Sequence, residues 1–113
     1  MTEFYIMNLT RKIENLDLSS SEGVLFEYRH FFSGAALYVN GKICASLSPA
    51  GFALKLPEEI RWHLIEKGDG NEFSYFEKAP VKKEYVALSL PVQDDQARMK
   101  LLLNQSIKYV TSG

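Results

Sequence analysis

This chain of 113 residues has a single cysteine, no dominant sign of charge and no long apolar run. The single cysteine excludes an internal disulfide and is too few for a thiolate metal cage. Thirteen Lys and Arg against 14 Asp and Glu leave a formal charge of -1, so the chain as a whole is not attracted to nucleic-acid backbones or anionic membranes. No apolar run approaches the roughly 20 residues that span a bilayer, and the start lacks a basic leader. We therefore expect a cytoplasmic protein that does not associate with membranes.

The composition that remains is that of an ordinary globular domain. Hydrophobic residues make up 46% of the chain and charged residues 24%. A chain of 113 residues can bury one substantial core but not two. We therefore predict a single domain over residues 1–113.

The spacing of apolar residues predicts the element order α-β-β-β-α-β-β-α. A first helix near the N-terminus is indicated by apolar residues at helical spacing, Ile6, Leu9, Ile13 and Leu16. Residues 24–39 are rich in aromatic and β-branched residues and are interpreted as one strand that bends at Gly34. Asn40 and Gly41 then predict a type I′ hairpin turn, because both central positions of that turn need φ > 0. Two hairpin-linked groups of strands with helices between them indicate an α+β two-layer sandwich: a five-stranded antiparallel sheet with helices mainly on one face.

Alternation along the strands assigns side chains to the two faces of this sheet. The predicted core face contains Leu37, Val39, Ile43, Ala45, Leu47, Phe52, Leu54, Leu56, Phe73, Tyr75, Val86, Leu88 and Leu90. The opposite face is predicted to contain Tyr38, Lys42, Cys44, Ser46, Lys55, Phe76, Lys83 and Tyr85, joined by Phe26, Tyr28, His30 and Phe32 unless a bulge at Gly34 reverses that strand.

The opposite face is too aromatic for a fully solvated surface. Tyr28, Tyr38, Phe76 and Tyr85 are therefore the candidate surface for a protein partner. The alternative is that the N- or C-terminal helix of the chain itself covers this face.

A basic patch is the second candidate. Lys78, Lys82 and Lys83 alternate with aromatic residues, as in proteins that stack and pair with single-stranded nucleic acid. Glu77 and Glu84 dilute the patch, and lysines on a hairpin commonly protect an edge strand.

Catalytic, metal and cofactor sites are not predicted. Gly34 and Gly41 lack the spacing of a phosphate-binding loop and are interpreted as a bend and a turn. Cys44 with His30 or His63 could form a nucleophile and base only if the fold brings them together, and a cysteine between apolar strand neighbours is typically a small hydrophobe. The two histidines belong to no cluster of metal ligands.

Three segments in succession resemble the TfoX N-terminal-domain family: "FFSGAALYVNGKICASL", "GFALKLPEEIRWHLIEKG" and "FSYFEKAPVKKEYVALSLPV". The family's bend falls on Phe32 and Gly34, and its turn on Asn40 and Gly41. Its later strands fall on residues 73–77 and 87–91. The resemblance covers roughly residues 1–110 of this sequence.

The resemblance implies a five-stranded antiparallel sheet with helices on one side, as in secretion-chaperone-like folds. Longer members of the family regulate DNA-uptake competence and have a separate C-terminal helical domain, which we expect to be absent here because the sequence ends at Gly113. The resemblance, the lack of a catalytic constellation and the aromatic opposite face together favour a non-enzymatic regulatory module that acts through a protein partner or by forming a homodimer. The alternatives are a nucleic-acid-binding accessory domain and an enzyme of unknown reaction.

Overall fold

Six strands and four helices follow one another in the part of the chain that this computed structural model describes, which is residues 2–18, 23–31, 33–75 and 78–112. In chain order they are α1 (Thr2–Glu14), β1 (Phe26–Phe31), β2 (Gly34–Val39), β3 (Lys42–Ser48), β4 (Gly51–Lys55), α2 (Glu58–Glu66), β5 (Gly70–Glu72), β6 (Tyr85–Leu88), α3 (Leu90–Gln93) and α4 (Gln96–Thr111).

The six strands form one antiparallel sheet in the spatial order β1-β2-β3-β4-β6-β5. All four helices contribute buried residues to one cluster on one side of the sheet, which we call the first face. The predicted α+β sandwich with helices on one face is therefore confirmed. The number of strands is a correction, since the sheet has six rather than five.

The extra strand arises because the chain reverses direction before Gly34 instead of bending there. Phe31 pairs with Gly34, so β1 and β2 form an antiparallel hairpin. A Cβ on Gly34 would lie 2.2 Å from the carbonyl oxygen of Leu47 and 2.8 Å from the Cα of Ser48. Glycine is required at this position because β2 and β3 approach each other closely there.

This reversal also changes the face to which the side chains of β1 belong. Tyr28 pairs with Leu37, and both side chains point to the first face because directly paired residues share a face. Phe26 and His30 pair with Val39 and Ala35 in the same way. The prediction that these three residues share a face with Tyr38 is wrong. Phe32, predicted with them, lies outside the described residues.

The Asn40–Gly41 turn is confirmed. Asn40 has φ 51° and Gly41 φ 82°, the positive values that a type I′ turn needs. Asn40 has a second role that the sequence did not indicate. Its side-chain Oδ1 accepts a hydrogen bond from the backbone N–H of Leu25 at 2.7 Å, and its own N–H donates to the carbonyl of Leu25 at 2.9 Å. The turn residue therefore also fixes the chain just before β1.

A bulge in β3 places Cys44 in the core. The register shifts between Leu37, which pairs with Ala45, and Tyr38, which pairs with Ile43, so Cys44 has no partner in this ladder. Cys44 and Ala45 are both fully buried in the first-face cluster. The prediction that Cys44 lies on the opposite face is therefore wrong, because an extra residue in a strand interrupts its alternation.

The main core lies between the first face and the helices. Leu9 and Ile13 from α1, together with Met99 and Leu103 from α4, are buried there. Leu90 was predicted to belong to this core but is 71% exposed, because it begins a short helix rather than ending a strand.

The second predicted hairpin is shorter than its sequence suggested. Pairing between β5 and β6 ends at Glu72 and Val86, and residues 73–75 and 78–84 are irregular. The backbone N–H of Lys82 donates to the carbonyl of Phe73 at 2.7 Å and closes the base of this loop. The loop places Phe73 and Tyr75 against the other face of the sheet. No helix within the described ranges is long and apolar enough to cross a bilayer.

Candidate functional site

The face of the sheet that points away from the helices, which we call the second face, has a row of small residues at its centre. Ala36 pairs with Ser46, Ser46 with Ala53 and Ala53 with Ala87, so the row crosses four strands. Ala36, Ser46 and Ala53 are buried, although no helix of the described chain contributes to the cluster above them. Their small size leaves room for side chains that arrive from the loop after β5.

Phe73 and Tyr75 occupy that room. Both are buried, and they form a second apolar cluster with Ala53, against which Phe31 and Tyr85 also pack. The ring centroids of Phe73 and Tyr75 are 4.8 Å apart, and those of Phe31 and Tyr75 are 5.5 Å apart, both in edge-to-face geometry. The prediction that Phe73 and Tyr75 are buried is confirmed, but they are buried on the second face and not in the main core.

Cations lie over the tyrosine rings of this face. The guanidinium of Arg29 lies 4.5 Å from the ring centroid of Tyr38, and the Nζ atoms of Lys55 and Lys82 lie 5.6 Å and 5.8 Å from the centroids of Tyr85 and Tyr75. Each such contact contributes roughly 0.5–1 kcal/mol at an exposed site. The rings therefore hold the positive charges in defined positions on the surface.

Three lysines surround a shallow depression on the second face. The depression has a volume of about 270 Å³ and is lined by Phe31, Lys55, Tyr75, Lys82, Lys83, Glu84 and Tyr85. We call it the lysine depression. Glu84 is its one acid, and the hydroxyl of Tyr109 donates a hydrogen bond to Glu84 Oε1 at 2.8 Å. The depression is consequently a positive site above an aromatic base.

The structure brings together only part of the predicted partner surface. Tyr38 and Tyr85 are half-buried on the second face. Tyr28 lies on the first face, where it packs against the main core beside α1. Phe76 lies outside the described residues.

The predicted basic patch lies on the loop before β6, where Lys78, Lys82 and Lys83 are all exposed. Lys82 and Lys83 line the lysine depression, so the patch and the aromatic surface meet in one site. Lys55 adds to the positive charge of this face, whereas the charge of Arg29 is balanced by Glu27, whose Oε1 lies 2.7 Å from the Arg29 guanidinium. Alternation indicated Lys55, whereas Arg29 could be recognised only from the antiparallel pairing of β1 with β2.

Cys44 does not have the properties of a nucleophile. Burial raises the pKa of its thiol from 9.0 to about 12, and its backbone carbonyl accepts a hydrogen bond from Ser106 Oγ at 3.2 Å. His30 and His63 are exposed, whereas Cys44 is fully buried. Within the described ranges, no group of three or more His, Cys, Asp or Glu residues could hold a metal ion.

Alkaline pH is expected to destabilise the domain through Cys44 and Tyr28. Burial raises the pKa of Tyr28 from 10.0 to about 12, and Glu14 and Cys44 add to this rise. Because the folded state holds both protons more tightly than the unfolded chain does, their contribution to stability is complete below pH 9 and is lost as the pH rises towards 12. Urea unfolding at a series of pH values measures this loss. Tyr28→Phe should make the decline above pH 10 shallower, and an unchanged free energy of unfolding up to pH 12 would contradict the prediction.

A comparison with protein families shows to which group this fold belongs. The family model described as "TfoX N-terminal domain" matches residues 21–109. The chain belongs to the TfoX N-terminal domain family. No curated protein sequence matches the chain. The part that matches the TfoX N-terminal domain includes all six strands and the loop that forms the lysine depression, whereas α1 precedes it. The family resemblance seen in the sequence is confirmed.

Proposed function

We propose that this TfoX N-terminal domain is a regulatory protein-interaction module of the competence-control type, without a reaction of its own, and that its partner binds the second face. The observation that supports this most strongly is the set of three cations, Arg29, Lys55 and Lys82, held over tyrosine rings on a face that no described helix covers. Tyrosine and arginine are enriched where proteins bind one another. The family to which the chain belongs is consistent with a regulatory role.

The absence of an enzymatic reaction is part of this proposal. The pKa values of the buried Cys44 and the half-buried Tyr85 are raised mainly by loss of solvation, which keeps both groups protonated, whereas a nucleophile or base needs the opposite. A cytoplasmic location is also proposed, because one buried free thiol and no disulfide suit a reducing compartment.

The test is affinity capture with cross-linking from a lysate of the source cells, using matched pairs of baits. Tyr38→Ala combined with Lys55→Glu alters the second face. Tyr5→Ala combined with Lys108→Glu makes the same chemical changes on α1 and α4. We expect the second-face variant to recover at least about ten-fold less of any protein that the unaltered domain captures, because truncating interface hot spots costs about 2 kcal/mol.

The control variant should recover that protein normally, and circular dichroism should show that both variants are folded. Sedimentation of the same variants tests self-association. A set of captured proteins and a sedimentation profile that are the same for both variants would rule out the second face as the partner surface.

A nucleic-acid-binding accessory domain is the second candidate, and the exposed Lys78, Lys82 and Lys83 favour it. Stacking of bases is disfavoured, because Lys82 and Lys55 lie over the ring faces of Tyr75 and Tyr85 that bases would need. If neither DNA nor RNA probes shift in a gel at low ionic strength, this candidate is removed.

A further inference from the structure

Trp62, the single tryptophan of the chain, is exposed beside the loop before β6. It lies on α2, whose Leu64 is buried in the main core, and its side chain is 53% exposed. Val81 in the loop before β6 is 48% exposed. Tryptophan is one of the residue types that contribute most to the binding energy of protein interfaces.

Trp62 and Val81 line a cleft between α2 and residues 81–85, which we call the anchor cleft. Ile65 and Tyr85 complete its apolar lining, and its volume is about 260 Å³. Small-molecule pockets are usually about 300–1,000 Å³. The anchor cleft is smaller than that range and suits a single side chain of a partner better than a free ligand.

The anchor cleft continues into the lysine depression. Both are lined by the segment 82–85, so one bound chain could occupy the two together. The charges along this path are uneven. Of the charged residues that the two sites do not share, Glu58, Glu72 and Arg61 line the anchor cleft, and Lys55 lines the lysine depression. The two acids outnumber the one base at the anchor-cleft end. If a bound segment had carboxylates on both sides of its apolar residue, those on one side would be repelled by Glu58 and Glu72.

We propose that the occupant is an acidic protein segment that inserts one apolar side chain, such as leucine, into the anchor cleft. Its Asp and Glu residues extend to one side only and pair with Lys55, Lys82 and Lys83. This inference rests on the proposed function, because it specifies the chemistry of the partner that the second face binds.

Nucleic acid fits this path less well than an acidic segment does. Its phosphates would be repelled by Glu58 and Glu72 in the anchor cleft, and its bases would have to displace Lys55 from the ring of Tyr85. Carboxylates at the lysine depression need no such displacement, since they can pair with the ammonium groups of Lys55 and Lys82 while these remain over the rings.

Trp62 itself provides the signal for the test. Short synthetic peptides without tryptophan, each with one leucine followed or preceded by a run of Asp and Glu, are titrated into the domain. Insertion of the leucine should shift Trp62 emission to shorter wavelength, because the indole loses contact with water. One of the two peptide orders should bind at least about five-fold more tightly than the other, as a like-charge contact at Glu58 and Glu72 costs about 1 kcal/mol or more. Affinity should fall as salt rises.

Variants separate the two parts of the site, with fluorescein-labelled peptide as the probe. Trp62→Ala should weaken binding about thirty-fold, and Lys82→Glu with Lys83→Glu about ten-fold at low salt. Leu101→Ala, an exposed leucine on α4, and Lys108→Ala should leave affinity unchanged. Peptides with serine in place of leucine should lose most of their affinity.

The inference is overturned if neither peptide order binds, if the serine peptides bind equally well, if both orders bind alike, or if Trp62→Ala binds as the unaltered domain does. It is also overturned if a DNA or RNA probe binds and displaces the peptide. The peptide experiments test this inference, whereas the capture experiment tests the proposed function, so the two can fail separately. If peptides fail but Tyr38→Ala with Lys55→Glu still abolishes capture of a partner, the second face remains a partner surface of other chemistry. If both experiments fail, the proposed function falls as well.

Discussion

Gly34→Ala should lower the free energy of unfolding by about 3 kcal/mol, the upper part of the range for overpacked sites. The added Cβ would lie 2.2 Å from the carbonyl oxygen of Leu47 and 2.7 Å from the Cβ of Ser48. Two of the three nearest atoms belong to the backbone of β3, so no rotation of a side chain relieves the contact. The β2–β3 pairing would have to separate locally. Urea denaturation measures the change as a lower midpoint at an unchanged slope.

Gly41→Ala is the matched control for this substitution. Gly41 has φ +82° and nothing within 4 Å of an added Cβ, so only the backbone conformation opposes alanine there. We expect a loss of about 1 kcal/mol from this left-handed conformation. If Gly41→Ala destabilised the domain as much as Gly34→Ala, the close approach of β2 and β3 would not be the reason for the glycine at position 34.

Phe73→Ala should cost about 3 kcal/mol and release the loop that forms the lysine depression. Phe73 is fully buried against Ala53 and Tyr75, and truncation of such a phenylalanine leaves a cavity. Its carbonyl also accepts the hydrogen bond from the N–H of Lys82. We therefore expect faster amide hydrogen exchange at Lys82, measured together with the urea midpoint.

Phe4→Ala provides the same chemical change at an exposed position. Phe4 is 61% exposed on α1, so its truncation should change stability by less than about 0.5 kcal/mol. The exchange of Lys82 should then be unaffected. Equal effects of the two substitutions, or an unchanged exchange rate in Phe73→Ala, would mean that the second-face cluster does not hold the loop in place.

The local structure of this chain could largely be predicted from short stretches of sequence. The Asn40–Gly41 turn follows from the φ values that its residue types tolerate. The last helix begins after Asp95, whose carboxylate accepts a hydrogen bond from the N–H of Arg98 at 3.2 Å, as expected of an N-cap. The apolar spacing of Leu9 and Ile13 predicted a helix face that is indeed buried.

The candidate site could be predicted only in part, because it depends on which residues pair across strands. A reversal of the chain between Phe31 and Gly34, instead of a bend at Gly34, transfers Tyr28 to the first face and brings Arg29 to the second. Neither change alters the local apolar pattern, since both alternatives preserve alternation within β1. Cys44 was misplaced for a related reason, because a bulge adds one residue that alternation cannot anticipate.

The sequence by itself determined the family, the α+β class and the tight turn, because each depends on residue types at short separations along the chain. Only the tertiary structure decided that Phe73 and Tyr75 lie across the small residues of the second face, and that Lys55 and Lys82 lie over tyrosine rings there. The pattern of apolar residues in a sequence predicts that a side chain is buried. It does not predict which surface that side chain packs against. The packing surface is determined by contacts between residues far apart in the sequence. Here the row of small residues from Ala36 to Ala87 leaves space for the side chains of the loop after β5.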